Sequence, residues 1–366
     1  MNQLNLYQFK NLDQLNFQPK KGLNFIIGKN GSGKTNLLDS IHCCCMTKSY
    51  FQYSDKNCIQ HDANYFRIES KWKDKDQMQT LNIKCVKSEL RQVEWNGVQY
   101  NKASEHLGKI PVVMIVPNEV YTFVNESEDR RKFLNQSLIQ LDPYYFEQLN
   151  TYNQFLKQKT AALKSMKLKS SYDNVLLDAY ELSMEKAAKV IYQKRKEFVD
   201  KIIPYLQAFS EKMSGGLQES MLEYYSHVQD KNMLDVWRSE REYDAMSNRI
   251  HSGIHRDKVE CKFNNQNLKN FGSQGQIKTF VIALRLAQVQ YLMENMKTKP
   301  ILLLDDLFAK LDESRVEQLL TLLDGLEIEQ CFITDTHLLR AQKIAKKRIM
   351  SSNIFVLDKN KISTHA

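Results

Sequence analysis

The chain has 366 residues, 42% of them hydrophobic, with 12 Gly, 6 Pro and a formal net charge of +9. These values predict a globular protein with room for two domains and exclude a disordered or fibrous chain. The positive balance favours a polyanionic partner, nucleic acid or an anionic membrane face, although excess lysine also serves solubility.

The N-terminus, with Leu4, Tyr7 and Phe9 among polar residues, reads as a strand, and no run of eighteen apolar residues follows anywhere. A cytoplasmic location with no membrane span is therefore expected. The apolar run Leu23-Asn24-Phe25-Ile26-Ile27 predicts a strand, and Asn36-Leu37-Leu38-Asp39-Ser40-Ile41 predicts a helix. Between them stands Gly28-Lys29-Asn30-Gly31-Ser32-Gly33-Lys34-Thr35, a match to every fixed position of the P-loop pattern. Glycines at 28 and 33 let successive N–H groups point into one concavity at a helix start. Lys34 is expected on the β- and γ-phosphates of ATP or GTP, and the Thr35 hydroxyl on Mg2+. An ordinary Gly-rich turn is the alternative. Of the seven cysteines, Cys43-Cys44-Cys45 diverge around that helix and no CxxC pair occurs, so they are expected as core residues in a reducing compartment.

Tyr65-Phe66-Arg67-Ile68-Glu69, Leu81-Asn82-Ile83-Lys84-Cys85-Val86 and Gln92-Val93-Glu94-Trp95, followed by the turn dipeptide Asn96-Gly97, predict an antiparallel meander beside the P-loop strand. Residues 111–117 predict a short buried strand bounded by prolines. From about 126 the pattern turns helical. Asp142-Pro143 supplies an N-cap and a proline at the first helical position, and Tyr145, Leu149, Tyr152 and Leu156 follow at helical spacing. Leu177, Tyr180, Met184, Ala187, Ile191 and Phe198 repeat the pattern, so an antiparallel hairpin is expected, joined through polar residues 164–174 and punctuated at its end by Pro204 and Gly215-Gly216. Residues 151–201 hold eleven Lys or Arg against six Asp or Glu. They read either as a solvated face or as a phosphate-contacting arm, with Lys157, Lys159, Lys164, Lys167 and Lys169 as the candidate DNA contacts.

Residues 221–225 predict a strand, 276–293 a helix, 301–304 a central parallel strand, 331–334 another strand, and 354–362 a terminal hairpin. The expected division is 1–120 and 251–366 as the two halves of a nucleotide-binding domain, split by a mostly helical insertion at 121–250. Ile301-Leu302-Leu303-Leu304-Asp305-Asp306 puts two carboxylates at the C-terminal edge of a buried strand, where ligands of open α/β sheets collect. Asp305 is expected to hold the metal through water and Asp306 to orient or deprotonate the attacking water; a paired helix cap is the alternative. Carboxylates so close also predict a raised pKa on one of them, or a bound cation.

Ser273-Gln274-Gly275-Gln276 opens the helix 32 residues before Asp305. It resembles the signature of the ABC ATPase superfamily in its SxGQ form; a plain helix cap is the alternative. Ala309-Lys310-Leu311-Asp312 resembles the D-loop and Asp335-Thr336-His337 the switch region of that superfamily, with His337 either near the γ-phosphate or an ordinary surface or core histidine. The resemblance implies an α/β ABC-type P-loop ATPase head, mixed sheet plus antiparallel β subdomain, split by the helical arm. It implies that Ser273, Gly275 and Gln276 complete the nucleotide site of a second copy in an ATP-dependent homodimer.

About 235 residues separate Thr35 from Ser273, too few for a long coiled coil and too many for a transporter subunit. Within the superfamily the chain resembles the RecF family over nearly its whole length. The residues that carry the likeness are 28–35, Val116-Pro117-Asn118-Glu119, Asp129-Arg130-Arg131-Lys132-Phe133-Leu134, Gly253-Ile254-His255-Arg256-Asp257, 272–278 with 283–288, and 304–312. The resemblance implies ATP and Mg2+ as cofactors, weak DNA-stimulated hydrolysis, and clamping of double-stranded DNA near single-strand gaps in the response to DNA damage. It further implies RecR and RecO as partners and help in loading the recombinase RecA. An ATP-gated chromosomal scaffold of SMC type without productive turnover is the alternative. Lys48-Ser49-Tyr50-Phe51 departs from an arginine-rich family stretch and Gln274 from a position often basic; neither touches the phosphate or metal roles.

Overall fold

Strand Gly22–Ile27 is buried at all six positions, as a strand covered on both faces must be. Its setting comes from a computed structural model that describes residues 1–365 other than 53, 75–76, 88, 170–172, 217–218 and 349, and not the side chains of 74, 120, 121, 167–169 and 310. The described residues form two units, 1–120 with 288–366, and 121–287. Residues 251–287, expected with the nucleotide-binding half, belong to the second of these units.

Within the first unit the described strands make two six-stranded sheets. In the central one, Gly22–Ile27 lies parallel to Gln330–Asp335 on one side and to Ser352–Asp358 on the other. Ile301–Leu304 and then Val112–Ile115 continue the parallel order beyond Gln330–Asp335, and Lys361–His365 closes the opposite edge antiparallel. The meander is antiparallel, as expected, and its strands pair outside the sheet that holds the P-loop strand. Tyr65–Asp74, Gln77–Val86 and Gln92–Trp95 build a separate antiparallel sheet with Gln3–Phe9 and Leu12–Phe17. The cause is in the side-chain pattern: strands that alternate need only one buried face, and the sheet row Tyr7, Arg67, Lys84, Gln92 is its polar face. Asn96 and Gly97 turn the last hairpin with φ of 52° and 78°, the left-handed pair that a two-residue turn requires. All seven cysteines are buried and unpaired, and burial raises their thiol pKa values, that of Cys58 to about 11 and of Cys44 to about 12.

The second unit is led by helices Pro143–Lys169 and Asn174–Ser214, which pack along each other. The Asp142 carboxylate accepts from the N–H groups of Tyr144 and Tyr145 at 2.9 and 3.2 Å, the cap that Asp-Pro predicts. Tyr145, Tyr152, Leu177, Met184, Ala187 and Ile191 are fully buried along the seam. Two expectations fail here. The first helix runs through the polar residues after 164 to Lys169, and Pro204 lies inside the second helix without ending it. The stop is Gly215, at φ 76°, whose N–H donates to Glu211. Helices Ser127–Leu141 and Met233–Ser247 and a small antiparallel sheet, which includes Ser220–Tyr225 and Lys258–Phe263, also belong to this unit. Among the described residues no helix is long and apolar enough to cross a membrane.

Candidate nucleotide site

The loop at the end of Gly22–Ile27 owes its shape to missing side chains. A Cβ at Gly28 would stand 2.6 Å from both the Leu357 carbonyl and Ser32 Oγ, and one at Gly33, where φ is 99°, would stand 2.6 Å from Leu12 Cδ2. Asn11 braces the loop from outside by donating to the Gly31 carbonyl at 3.1 Å. Helix Lys34–Met46 then starts with its unpaired N–H groups at the loop. The Lys34 ammonium donates to the Gly28 and Lys29 carbonyls at 2.8 and 3.0 Å. Burial lowers its pKa, opposed by the carboxylates of Asp306, Asp305 and Asp335.

Thr35 and Asp305 meet although 270 residues separate them. The Thr35 hydroxyl lies 3.0 and 2.9 Å from the two carboxylate oxygens of Asp305. Asp305 is itself buried, and Thr334 donates to its Oδ1 at 2.8 Å. The Asp305 pKa is raised, as the paired acids predict, but burial is the leading cause and the charge of Asp306 ranks below the opposing hydrogen bonds from Thr334 and Thr35. Asp306 adopts φ 43°, ψ 28°, and its N–H donates to the same Thr334 hydroxyl at 2.8 Å. Its carboxylate Oδ1 is buried with no hydrogen-bond partner, as is Ser32 Oγ in the loop. At the end of the intervening strand, Asp335 Oδ1 accepts from the N–H groups of Thr336 and His337 at 2.6 and 3.0 Å, and the Gly28 N–H donates to the Asp335 carbonyl at 3.3 Å. His337 is exposed and opens helix Leu338–Ala345.

These residues fit a nucleoside triphosphate and a hard divalent cation. The glycine loop leaves room for phosphate oxygens, Ser32 and Asp306 hold buried polar atoms without partners, and Thr35 with Asp305 offers the oxygen donors that Mg2+ takes. Candidate residues Gly28, Lys29, Asn30, Gly31, Ser32, Gly33, Lys34, Thr35, Asp305 and Asp306 thus converge, with Asp335 ending the strand between and Thr336 and His337 following it. Thr334 was missed by sequence reasoning; its only signal is a polar residue ending the apolar run Cys331-Phe332-Ile333.

In the second unit, Ser273 and Gln276 close a reciprocal capping box on helix Gln274–Asn295. The Ser273 N–H donates to Gln276 Oε1 at 2.8 Å and the Gln276 N–H donates to Ser273 Oγ at 3.2 Å. Ser273 is exposed, and the cap leaves the Gln274 and Gly275 N–H groups of the first turn without intrahelical acceptors. The arm lysines divide. Lys157 and Lys164 are exposed, and the side chains of Lys167 and Lys169 lie outside the described ones. Lys159 is corrected: its ammonium is fully buried, 3.0 Å from Glu181 Oε1, 3.9 Å from Asp244 Oδ2 and 5.4 Å from the Trp237 ring centroid, so it serves the interior and not a phosphate. The stretches 129–134 and 253–257 also meet. Arg195 donates to Asp257 Oδ2 at 2.6 Å, Arg131 donates to the Asp257 carbonyl at 3.0 Å, and Gly253 at φ 134° passes where a Cβ would strike the Tyr152 hydroxyl.

A family model described as the RecF/RecN/SMC N terminal domain matches residues 1–352. The DNA replication and repair protein RecF of Flavobacterium johnsoniae is 36% identical to this chain, over 98% of it and 99% of its own length. The chain belongs to the RecF family. The RecF of Cytophaga hutchinsonii is 34% identical over 98% of this chain and 95% of its own. Among solved structures, the recombination mediator protein RecF–ATP of the RecFOR pathway matches with a TM-score of 0.87 at 23% identity, over 100% of this chain and 97% of that one. The Smc head domain from Pyrococcus furiosus matches with a TM-score of 0.59 at 14% identity, over 100% and 96%. The fold class is therefore α/β, the ABC-type ATPase head of RecF and SMC proteins, with a mixed sheet, an antiparallel sheet and a helical insertion.

Proposed function

We propose that this RecF-family chain is an ATP-dependent DNA-binding protein of recombinational repair. The observation that carries the reading is the hydrogen-bonded pair Thr35 and Asp305, which sets a metal-binding hydroxyl and carboxylate beside a glycine loop and Lys34. Residues 28–35 hold the phosphates, with Lys34 as the positive charge on them. Thr35 and Asp305 would hold Mg2+, which when bound would neutralise charge on the phosphate oxygens. Asp306 orients the attacking water and accepts its proton, and His337, on the switch segment, reaches toward the γ-phosphate. The capping box leaves the Gln274 and Gly275 N–H groups and the Ser273 hydroxyl proton for an anion, so Ser273, Gly275 and Gln276 complete the nucleotide site of a second copy. Two copies then close around two nucleotides and clamp double-stranded DNA near single-strand gaps, with slow hydrolysis releasing it. The names of the relatives support a place in DNA repair, and membership of the family supports RecR and RecO as partners and assistance to RecA loading.

Light scattering of the full chain with and without ATP tests this. Wild type is expected to double in mass with ATP, and Ser273→Arg to remain a monomer while still binding ATP, because the arginine occupies the anion site but leaves the P-loop intact. A Ser273→Arg protein that dimerises with ATP as well as wild type overturns the composite site.

A further inference from the structure

The strand Gln330–Asp335 runs parallel between the P-loop strand and the strand that ends in Asp305. Its C-terminal residues are therefore placed to touch both halves of the site. Thr334 touches the Asp305 half with one hydroxyl group, buried at 1% exposure. That hydroxyl donates to Asp305 Oδ1 at 2.8 Å and accepts from the Asp306 N–H at 2.8 Å.

We propose that Thr334 is a positioning residue for the metal-binding carboxylate, selecting which Asp305 oxygen faces the cation and fixing the backbone of Asp306. The inference deepens the ATP and Mg2+ reading of this site and rests on it. A hydroxyl has one proton to give. Thr334 gives it to Asp305 Oδ1, which occupies one lone pair there and biases a cation toward Oδ2. The Thr35 hydroxyl now reaches both Asp305 oxygens. A cation held by Thr35 and Asp305 would engage the Thr35 oxygen, leaving Thr334 as the side chain that keeps Asp305 in its rotamer. The lone pair of the same hydroxyl receives the Asp306 N–H, which steadies that residue at φ 43°, a left-handed conformation that Asp adopts more readily than most residues but still at a cost. Partners of this outer kind orient metal ligands, and their loss typically costs about 10–100-fold in metal affinity.

The test is a Mg2+ titration of ATP binding by full-length protein, followed as the thermal upshift that saturating ATP produces, with an EDTA arm that reads metal-free ATP binding. Thr334→Val keeps the shape and removes the hydroxyl, whereas Thr334→Ser keeps the hydroxyl and removes a methyl group. Thr334→Val is expected to raise the half-saturating Mg2+ concentration by about tenfold or more. Thr334→Ser is expected to stay near wild type, and ATP binding in EDTA to be alike in all three. A merely structural role would lower the melting temperature of both variants and leave the Mg2+ midpoint where it was. Should Thr334→Val not fold, Thr334→Ala takes its place with the same expected shift. A Val or Ala midpoint within about twofold of wild type, or a Ser midpoint shifted as far as Val, overturns the inference alone. Wild type that shows no ATP-dependent upshift at any Mg2+ concentration overturns the nucleotide reading with it.

Discussion

Two interior histidines, one in each unit, carry a pH dependence separate from the nucleotide chemistry. His106 is fully buried, with Nε2 at 2.8 Å from the Cys44 carbonyl, and burial brings its pKa down to about 4. His255 is held between Tyr152 and the Ile250 carbonyl, and burial, aided by Arg256 and Arg131, brings it to about 4 as well. A histidine whose folded value lies below its unfolded value near 6.5 binds less proton in the native state. Its contribution is complete above pH 6.5 and is lost as pH falls toward 4, with a slope of at most about 1.4 kcal/mol per pH unit for each group. Urea unfolding of the ligand-free protein is therefore expected to show wild type more stable than His106→Gln at pH 7 and the gap narrowing through that window. Parallel curves would remove His106 from the account. Asp305 shows the same force acting on a carboxyl: burial raises its pKa, and the hydroxyls of Thr334 and Thr35 oppose it.

Helix ends set how much of each element was legible. At Gly215 a Cβ would meet nothing within 4 Å, so Gly215→Ala loses only the left-handed backbone at φ 76°. A stability loss of about 1 kcal/mol is expected in urea unfolding, with the cap and seam intact. A neutral result would mean that the helix end relaxes out of that conformation. Signals read within one turn of chain were sound: the P-loop with its flanking strand and helix, the Asp142-Pro143 start, the Asn96-Gly97 turn and the Gly215 stop. Signals that depend on partners distant in sequence failed. Pro204 looks like a breaker because local rules count its lost N–H, but the helix is long and well packed enough on both sides to continue through it. Strand pairing could not be read for the meander, since alternation fixes a face and not a neighbour. Lys159 looked like any other arm lysine, because Glu181, Asp244 and Trp237 lie 22, 85 and 78 positions away in the chain. In the site, Lys34, Thr35 and Asp305 were legible from motif spacing, and Thr334 was not, since nothing in a lone threonine reveals which carboxylate it will meet.

For the whole molecule the charge of +9 must be divided between groups that hold the fold and groups free to meet a polyanion. Lys159 and Arg195 belong to the first kind, buried against Glu181 and Asp257, where removing one partner leaves an uncompensated charge. Lys157 and Lys164 are exposed and belong to the second. If the arm meets DNA phosphates, Lys157→Gln with Lys164→Gln should weaken duplex binding and reduce the slope of log affinity against log salt by about 0.9 for each phosphate no longer neutralised. An unchanged slope returns both lysines to a solvated helical face. The cysteines bear on how such experiments can be done. All seven are buried, and burial holds their thiols protonated at neutral pH. Buried, protonated thiols are expected to react slowly with maleimides, so a single cysteine introduced on an exposed helix is expected to take the fluorophore first. Two labelled copies would then report their approach by energy transfer on the wild-type thiol background.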